Sequence, residues 1–289
     1  MSLHPQFARP RTLDQAADLL SGLASGAVVI AGGQELTPSI NYGHLMPSVY
    51  VDIGAIRELK GIKADDGEIA IGALTVHRDL QNNEIVQSDL PLLAHAATQV
   101  GGGWQVHNRG TIGGNIVCMH PLYDILPSLL ALKADVEIAA VGGVRRAALA
   151  EIMTETSHGL GSEAILTRVL VTPMPAGTGW GYEKLKITAG AYGSANAAAV
   201  VSLTGPKISN LRVVIGAVTA LPVDVSAGLA EFVGREWSAS LGRALAERCS
   251  ALIAEPLSDH QGYGDWRRAM AGVVAARAVA AAVGRVGKD

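Results

Sequence analysis

Apolar residues recur at helical spacing at Leu13, Ala16, Ala17, Leu20 and Leu23, which predicts a helix over Leu13 to Ala24 with Thr12 as its N-cap. Ala27 to Ala31 is apolar throughout and stops at Gly32-Gly33, the pattern of a buried strand running into a loop. Val49 to Ile53 and Ile69 to Ile71 predict two more strands. After the second, Thr75 is expected to cap a helix holding His77, Arg78, Asp79 and Leu80. Pro91 opens a helix through Ala97 that runs into Gly101-Gly102-Gly103; a polar stretch (Gln105 to Arg109) and a glycine-rich loop (Gly110 to Asn115) follow. A helix from about Tyr123 to Lys133, a hairpin of Val136 to Ala140 and Arg145 to Ala148, and a strand over Ile165 to Val171 complete this half.

At Pro173 to Gly179 the composition shifts to Pro, Gly and Thr, the expected domain boundary. Beyond it come strands only, over Trp180 to Ile187, Ala197 to Leu203 and Leu211 to Val218, which predict a three-stranded antiparallel sheet. From about Ser226 the pattern turns helical, over Ala239 to Leu252 and Asp265 to Val286. Strands and helices segregated in this way indicate an α+β fold, with an α/β unit over residues 1–175 and a sheet-plus-helix domain over 176–289.

Composition narrows the function. A chain of 289 residues with net charge −3 carries no basic surface of the kind that nucleic acid requires. Its two cysteines, Cys118 and Cys249, form no metal-ligand spacing, and an iron–sulfur cluster takes four; both are expected to be buried thiols. His77, His95, His107 and His158 do not cluster at ligand spacing and are expected on the surface or satisfied in the core. Trp104 is expected to pack partly buried with its N–H bonded. The N-terminus shows no leader pattern, and the Ala/Val-rich run from Ala269 to Val286 is broken by Arg277 and Arg285. A cytoplasmic protein without a membrane span is expected.

The chemistry lies in two loops, Ala31-Gly32-Gly33-Gln34-Glu35-Leu36 and Gly110-Thr111-Ile112-Gly113-Gly114-Asn115. Glycine tolerates positive φ, so successive N–H groups can converge on an anion, and it lets a pyrophosphate approach the backbone. Thr111 and Asn115 add side-chain donors. Neither loop reads as a GxGxxG turn or a Walker A motif.

These loops, together with Val51-Asp52-Ile53, Ile71-Gly72-Ala73-Leu74-Thr75, His120-Pro121-Leu122-Tyr123-Asp124 and Tyr182-Glu183-Lys184-Leu185-Lys186, resemble the FAD-binding medium subunits of molybdenum hydroxylases. The resemblance covers nearly the whole chain. It implies a vanillyl-alcohol-oxidase-like (PCMH-type) unit with subdomains of about 1–55 and 56–175, then a carbon monoxide dehydrogenase flavoprotein C-terminal domain. It implies that Val29, Ile30, Ala31, Gly32, Gly33, Gln34, Glu35 and Leu36, with Thr111, Gly113, Gly114 and Asn115, wrap the FAD pyrophosphate. Ala73, Thr75 and Gly110 would border the cofactor, and Gly101 would lie at the adenine end. Asp124 would bond the ribityl or nucleotide portion, Lys184 would sit near the flavin's pyrimidine edge, and Tyr192 would lie against one flavin face.

The same resemblance implies a large molybdopterin subunit and a small [2Fe-2S] subunit as partners, in a dimer of heterotrimers. Electrons would pass from the clusters through FAD to an external acceptor. The alternatives are a self-contained FAD oxidoreductase and a flavin-free scaffold. Three features depart from the family pattern. Glu35 stands where many relatives carry Ser, Thr or Asp, and its carboxylate is expected to turn from the phosphates or to meet a cation. His120 replaces the first residue of an Asp-Pro pair. Ile187-Thr188-Ala189-Gly190-Ala191 replaces a run rich in arginine and acid.

Overall fold

The computed structural model describes residues 5–23, 26–153, 160 and 163–287. Met1 to His4, Ala24 at the end of the predicted first helix, and His158 lie outside the described residues.

The first layer is a three-stranded parallel sheet. Its strands are β1 (Gln6–Ala8), β2 (Ala27–Ile30) and β3 (Val49–Asp52), in the order β1-β3-β2. Helix α1 (Leu13–Leu23) packs Ala16 and Leu20 against Val49 and Val51. Thr12 caps it as expected, its Oγ1 accepting from the Gln15 N–H at 3.3 Å. A short helix α2 (Leu36–Asn41) follows the first glycine loop.

The second layer is a five-stranded antiparallel sheet. Strands β4 (Ile62–Asp65) and β5 (Glu68–Gly72) enter first. The helices α3 (His77–Asn82), α4 (Glu84–Asp89), α5 (Pro91–Gln99), α6 (Gly103–Arg109), α7 (Ile112–Cys118) and α8 (Ile125–Ala131) come next. Then follow β6 (Asp135–Ala140), β7 (Gly143–Ala148), the single turn α9 (Leu149–Ile152) and β8 (Ile165–Val171). The strand order is β4-β5-β8-β6-β7. Ile69, Ile71, Val136, Ile138, Val169 and Val171 meet Leu80, Leu93, Ile112, Ile116 and Leu126 of the helices in one core.

The third layer is antiparallel: β9 (Gly179–Leu185), β10 (Ala195–Thr204), β11 (Lys207–Gly216) and a two-residue edge β12 (Val223–Asp224). The expected three strands are present, and the fourth is too short to leave a periodic signal. Helices α10 (Ala239–Ala251) and α11 (Gly264–Arg285) cover one face. On β10, Ala195, Ala197, Ala199 and Val201 face those helices, while Ala198 and Val200 face Leu92 and Ala96 of α5 and Ala131 of α8. A strand buried on both faces reads as a continuous apolar run, as β10 does. The α+β expectation holds.

Three local readings are corrected. Thr75 caps nothing: α3 begins after Val76 without a side-chain cap, and the Thr75 hydroxyl donates to the Gly61 carbonyl at 3.2 Å. The polar stretch at 105–109 is helix α6. The second glycine loop is the start of α7, with the Thr111 hydroxyl capping it by accepting from the Gly114 N–H at 3.1 Å.

Helix α11 lies so close to β9 that a Cβ on Gly179 or Gly181 would come within 1.9 Å of the Ala282 or Ala278 carbonyl. Backbone cannot yield as a side-chain tip can. Gly181→Ala is expected to lower unfolding stability by about 1–3 kcal/mol, the usual cost of overpacking. Gly284→Ala, which meets nothing within 4 Å, is expected to raise stability by about 0.5 kcal/mol through helix propensity. Urea denaturation of the two variants measures both.

Candidate functional site

The three layers leave one elongated cleft of about 1090 Å³ between the parallel sheet's loops and the helices of the second layer. The end of β2 and the loop after it form one wall, with Val29, Ala31, Gly32, Gly33, Gln34, Glu35 and Leu36 facing the space. The opposite wall carries Ala73, Gly101, Gly110, Thr111, Gly113, Gly114 and Asn115, with Asp124 and Tyr192 also on the lining. Of the residues anticipated from sequence, only Ile30, Thr75 and Lys184 do not line it.

The two glycine loops cross backbone to backbone. A Cβ on Gly32 would lie 2.0 Å from the Arg109 carbonyl oxygen, and one on Gly113 would lie 2.8 Å from that of Ala73. Their donors differ. Gly33 has φ +71°, and the N–H groups of Gly32, Gly33, Gln34 and Glu35 donate to no acceptor among the described residues. That is an open nest of donors. In the second loop the N–H groups of Ile112, Gly113, Gly114 and Asn115 are already used, on Thr75 O, Ala73 O, Thr111 Oγ1 and Thr111 O. None of its glycines has positive φ. The expectation of a second backbone nest is therefore corrected: these glycines are required by close packing, and this wall presents side chains instead.

Two of those side chains are incomplete. The buried Oδ1 of Asn115 and Nδ1 of His77 have no hydrogen-bond partner. Asn196 Oδ1, which does not line the cleft, is the third such atom among the described residues; orphaned buried polar atoms are rare, and for the two on the lining a bound group is one explanation. Burial, with a smaller contribution from His107, pulls the His77 imidazole down to about 4, so it is neutral at physiological pH. His77 was expected to be satisfied or on the surface, and it is neither.

Asp124 is held beneath the cleft. Its carboxylate accepts from the Tyr182 hydroxyl at 2.7 Å and from Lys184 Nζ at 2.9 Å, and Lys184 also donates to the Gln99 carbonyl at 2.9 Å. Both charged side chains are 2% exposed. Burial pushes the Asp124 carboxyl upward, and the Lys184 ammonium and the Tyr182 hydroxyl oppose it. Asp124 stands at the N-terminus of α8 yet makes no side-chain cap there, because its oxygens are committed to β9. The bond from Lys184 to Gln99 ties β9 to the end of α5, two residues before Gly101.

Among the described residues Glu35 meets no cation; it accepts from the Tyr123 hydroxyl at 3.0 Å. Cys118 is only half-buried and lines the cleft, against the expectation of a core thiol. Trp104 is 73% exposed, with the Arg78 guanidinium 4.7 Å over its ring. Sequence reasoning did not select His77, Val106 or Tyr123 for the lining; no local motif marks the first two, while Tyr123 lies in the block 120–124 that carries the resemblance. Among the described residues, no group of three His, Cys, Asp or Glu is placed to hold a metal ion, and no helix is long and apolar enough to cross a membrane.

Comparison with known proteins accords with this geometry. The family described as "FAD binding domain in molybdopterin dehydrogenase" matches residues 3–174, and the "CO dehydrogenase flavoprotein C-terminal domain" matches residues 180–282. The chain is 34% identical over 281 residues to the carbon monoxide dehydrogenase medium chain of Hydrogenophaga pseudoflava, covering 97% of each. It is 31% identical to the glyceraldehyde dehydrogenase medium chain of Sulfolobus acidocaldarius, over 95% of this chain and 97% of that one. Among solved structures it is similar to the Hydrogenophaga pseudoflava carbon monoxide dehydrogenase that lacks the Mo-pyranopterin moiety, with TM-score 0.93, 33% identity and 99% of each chain covered. It is also similar to quinoline 2-oxidoreductase from Pseudomonas putida 86, with TM-score 0.91 and 26% identity over 99% of this chain and 100% of that one.

Two outcomes follow for stability. Lys184→Met leaves the Asp124 carboxylate buried without its countercharge and is expected to cost about 3–5 kcal/mol, read by chemical denaturation. His77 gives a pH signature. The folded chain keeps it neutral down to about 4, whereas an unfolded imidazole titrates near 6.5. Below 6.5 the unfolded chain takes up a proton that the folded chain refuses. Stability is therefore lost as pH falls towards 4, by about 3 kcal/mol across the window. Comparing His77→Gln with the unsubstituted chain at pH 7 and pH 5 is expected to show a flatter pH profile for the variant.

Proposed function

Because the chain belongs to the FAD-binding medium subunits of the molybdenum hydroxylases, we propose that it is the electron relay of such an oxidoreductase complex, with the 1090 Å³ cleft as its FAD site. The observation that carries this reading is the asymmetric pair of walls. Four unclaimed backbone N–H groups of the first glycine loop suit a pyrophosphate, which only accepts hydrogen bonds. The unpartnered Asn115 Oδ1 and His77 Nδ1 suit hydroxyl or N–H donors of a ribityl chain, a ribose or a base. The cleft is at the upper end of small-molecule sites, as a dinucleotide requires.

FAD supplies the redox chemistry when bound. The protein's part is to bind, orient and shield. Gly32 and Gly113 let the walls close on the cofactor, and the first loop neutralises phosphate charge without a lysine. Lys184, already engaged by Asp124 and Gln99, fixes the wall that carries Gly101. We propose the same division into residues 1–175, with subdomains of about 1–55 and 56–175, and 176–289; the three sheets and the two matched regions support it.

The relatives are named as medium chains or subunits, which supports partners in this case too. We read these as a large molybdopterin subunit and a small [2Fe-2S] subunit, arranged as a dimer of heterotrimers in the cytoplasm. Electrons would come from the clusters and leave for an external acceptor. Hydroxylation itself would belong to the large subunit.

The purified chain, reconstituted with FAD, is expected to show flavin absorption that bleaches with dithionite. Asn115→Leu, which removes the polar amide from the cleft wall, is expected to weaken FAD binding about tenfold, the worth of one good hydrogen bond. Absence of flavin even from the complex co-expressed with its partners would leave the scaffold reading in its place.

A further inference from the structure

Three rings are stacked at the cleft. They form a triangle: the His120 imidazole stacks on Tyr123, at 4.9 Å between centroids and 29° from parallel, and on Tyr192, at 5.2 Å and 25°, while the two tyrosine rings are 6.1 Å apart and 32° from parallel. One corner of the cluster is tied to the first glycine loop, because the Tyr123 hydroxyl donates to Glu35. At another corner Tyr192, which touches both other rings, closes the segment 187–191, whose Gly190 carbonyl accepts from the Gly102 N–H at 3.4 Å. Loop, rings, segment and Gly102 make a continuous strap, and Glu35, Tyr123, Tyr192, Gly190 and Gly102 all line the cleft.

The segment has little else to hold it. Ile187 is 79% exposed, the bonds from Ala191 N to Thr188 O and from Lys186 Nζ to Ala189 O are local, and the Tyr192 hydroxyl has no partner among the described residues. The Tyr192 ring, 39% exposed, is held by stacking. His120 suits that task. It is half-buried, and burial lowers its pKa, so a flat neutral ring meets Tyr192 and no charge has to be desolvated. The Leu122 N–H donates to His120 Nδ1 at 3.3 Å and fixes the ring's orientation.

We propose that His120 is a positioning residue that sets how fast the cofactor is taken up and released, by stacking on Tyr192 and so holding residues 187–192 across the mouth of the cleft. The proposal rests on the cleft being the FAD site. A residue that only contacts the cofactor changes release; a residue that holds a strap changes uptake and release together.

The test is stopped-flow flavin fluorescence on the full-length chain. FAD is mixed with apoprotein for uptake, and holoprotein is diluted into excess apoprotein of the unsubstituted chain for release. His120→Ala is expected to speed release about tenfold and uptake several-fold, and His120→Phe, which keeps a flat ring, is expected to restore both. Tyr192→Ala cuts the strap at its other end and is expected to behave as His120→Ala does, so a folding defect in one variant does not remove the test. The strap is overturned if the alanine variants leave uptake unchanged or slower, or if His120→Phe matches His120→Ala. An unsubstituted chain that takes up no FAD, either alone or in the complex co-expressed with its partners, would instead overturn the cofactor reading on which the strap rests.

Discussion

A carboxylate withdrawn from water has to be met by protein, and the structure is arranged around how Asp124 is met. Its oxygens are shared between a hydroxyl and an ammonium from one strand, β9, and that ammonium reaches on to the end of α5. Three segments that are distant in sequence are thereby fixed to one another: the turn before α8, the last turn of α5 and the first strand of the C-terminal sheet. Helix packing alone would leave this junction free to slide, since Leu92, Ala96, Ala131, Ala198 and Val200 form a smooth apolar contact. A buried charge pair permits one register only, because any other leaves a charge unpaired at a cost of several kcal/mol. One wall of the cleft inherits its position from that registration.

The opposite constraint is the absence of side chains. Gly32 against Arg109 and Gly181 against α11 bring backbone to backbone at distances that no Cβ allows. The first sets the width of the cleft, and the second seats the C-terminal helix that backs β9. Charge fixes the register while missing methyl groups fix the spacing.

This explains which features were legible in the sequence. Strands β2, β3, β8 and β10 and helices α1, α5, α10 and α11 carry strong periodicity or continuous apolar runs, and they stand where the pattern put them. The short helices α2, α4, α6 and α7 do not, because each is seven residues or fewer and takes its stability from the cleft walls and neighbouring helices more than from an amphipathic face of its own. Glycine-rich motifs marked the right loops but not their different uses. Whether a glycine is there for positive φ, as Gly33 is, or for contact, as Gly113 is, depends on what folds against it. The pairing of Lys184 with Asp124 was hidden for the same reason: 60 residues separate them, and each alone reads as an ordinary surface charge.

The same distinction bears on how an acid is tolerated beside the proposed anion site. Glu35 follows directly on the open N–H groups of the first loop, where a second negative charge would compete with an anion for the same donors. The structure does not neutralise it with a cation. It turns the carboxylate to a phenol hydroxyl on the facing wall, so the charge is drawn off the nest and used to tie the two walls together. Tyr123 can do this because His120 stacks against its ring and holds it. The departures at Glu35 and His120, which look independent in the sequence, are two ends of one arrangement: an acid that needs a donor, and a ring that keeps the donor in place.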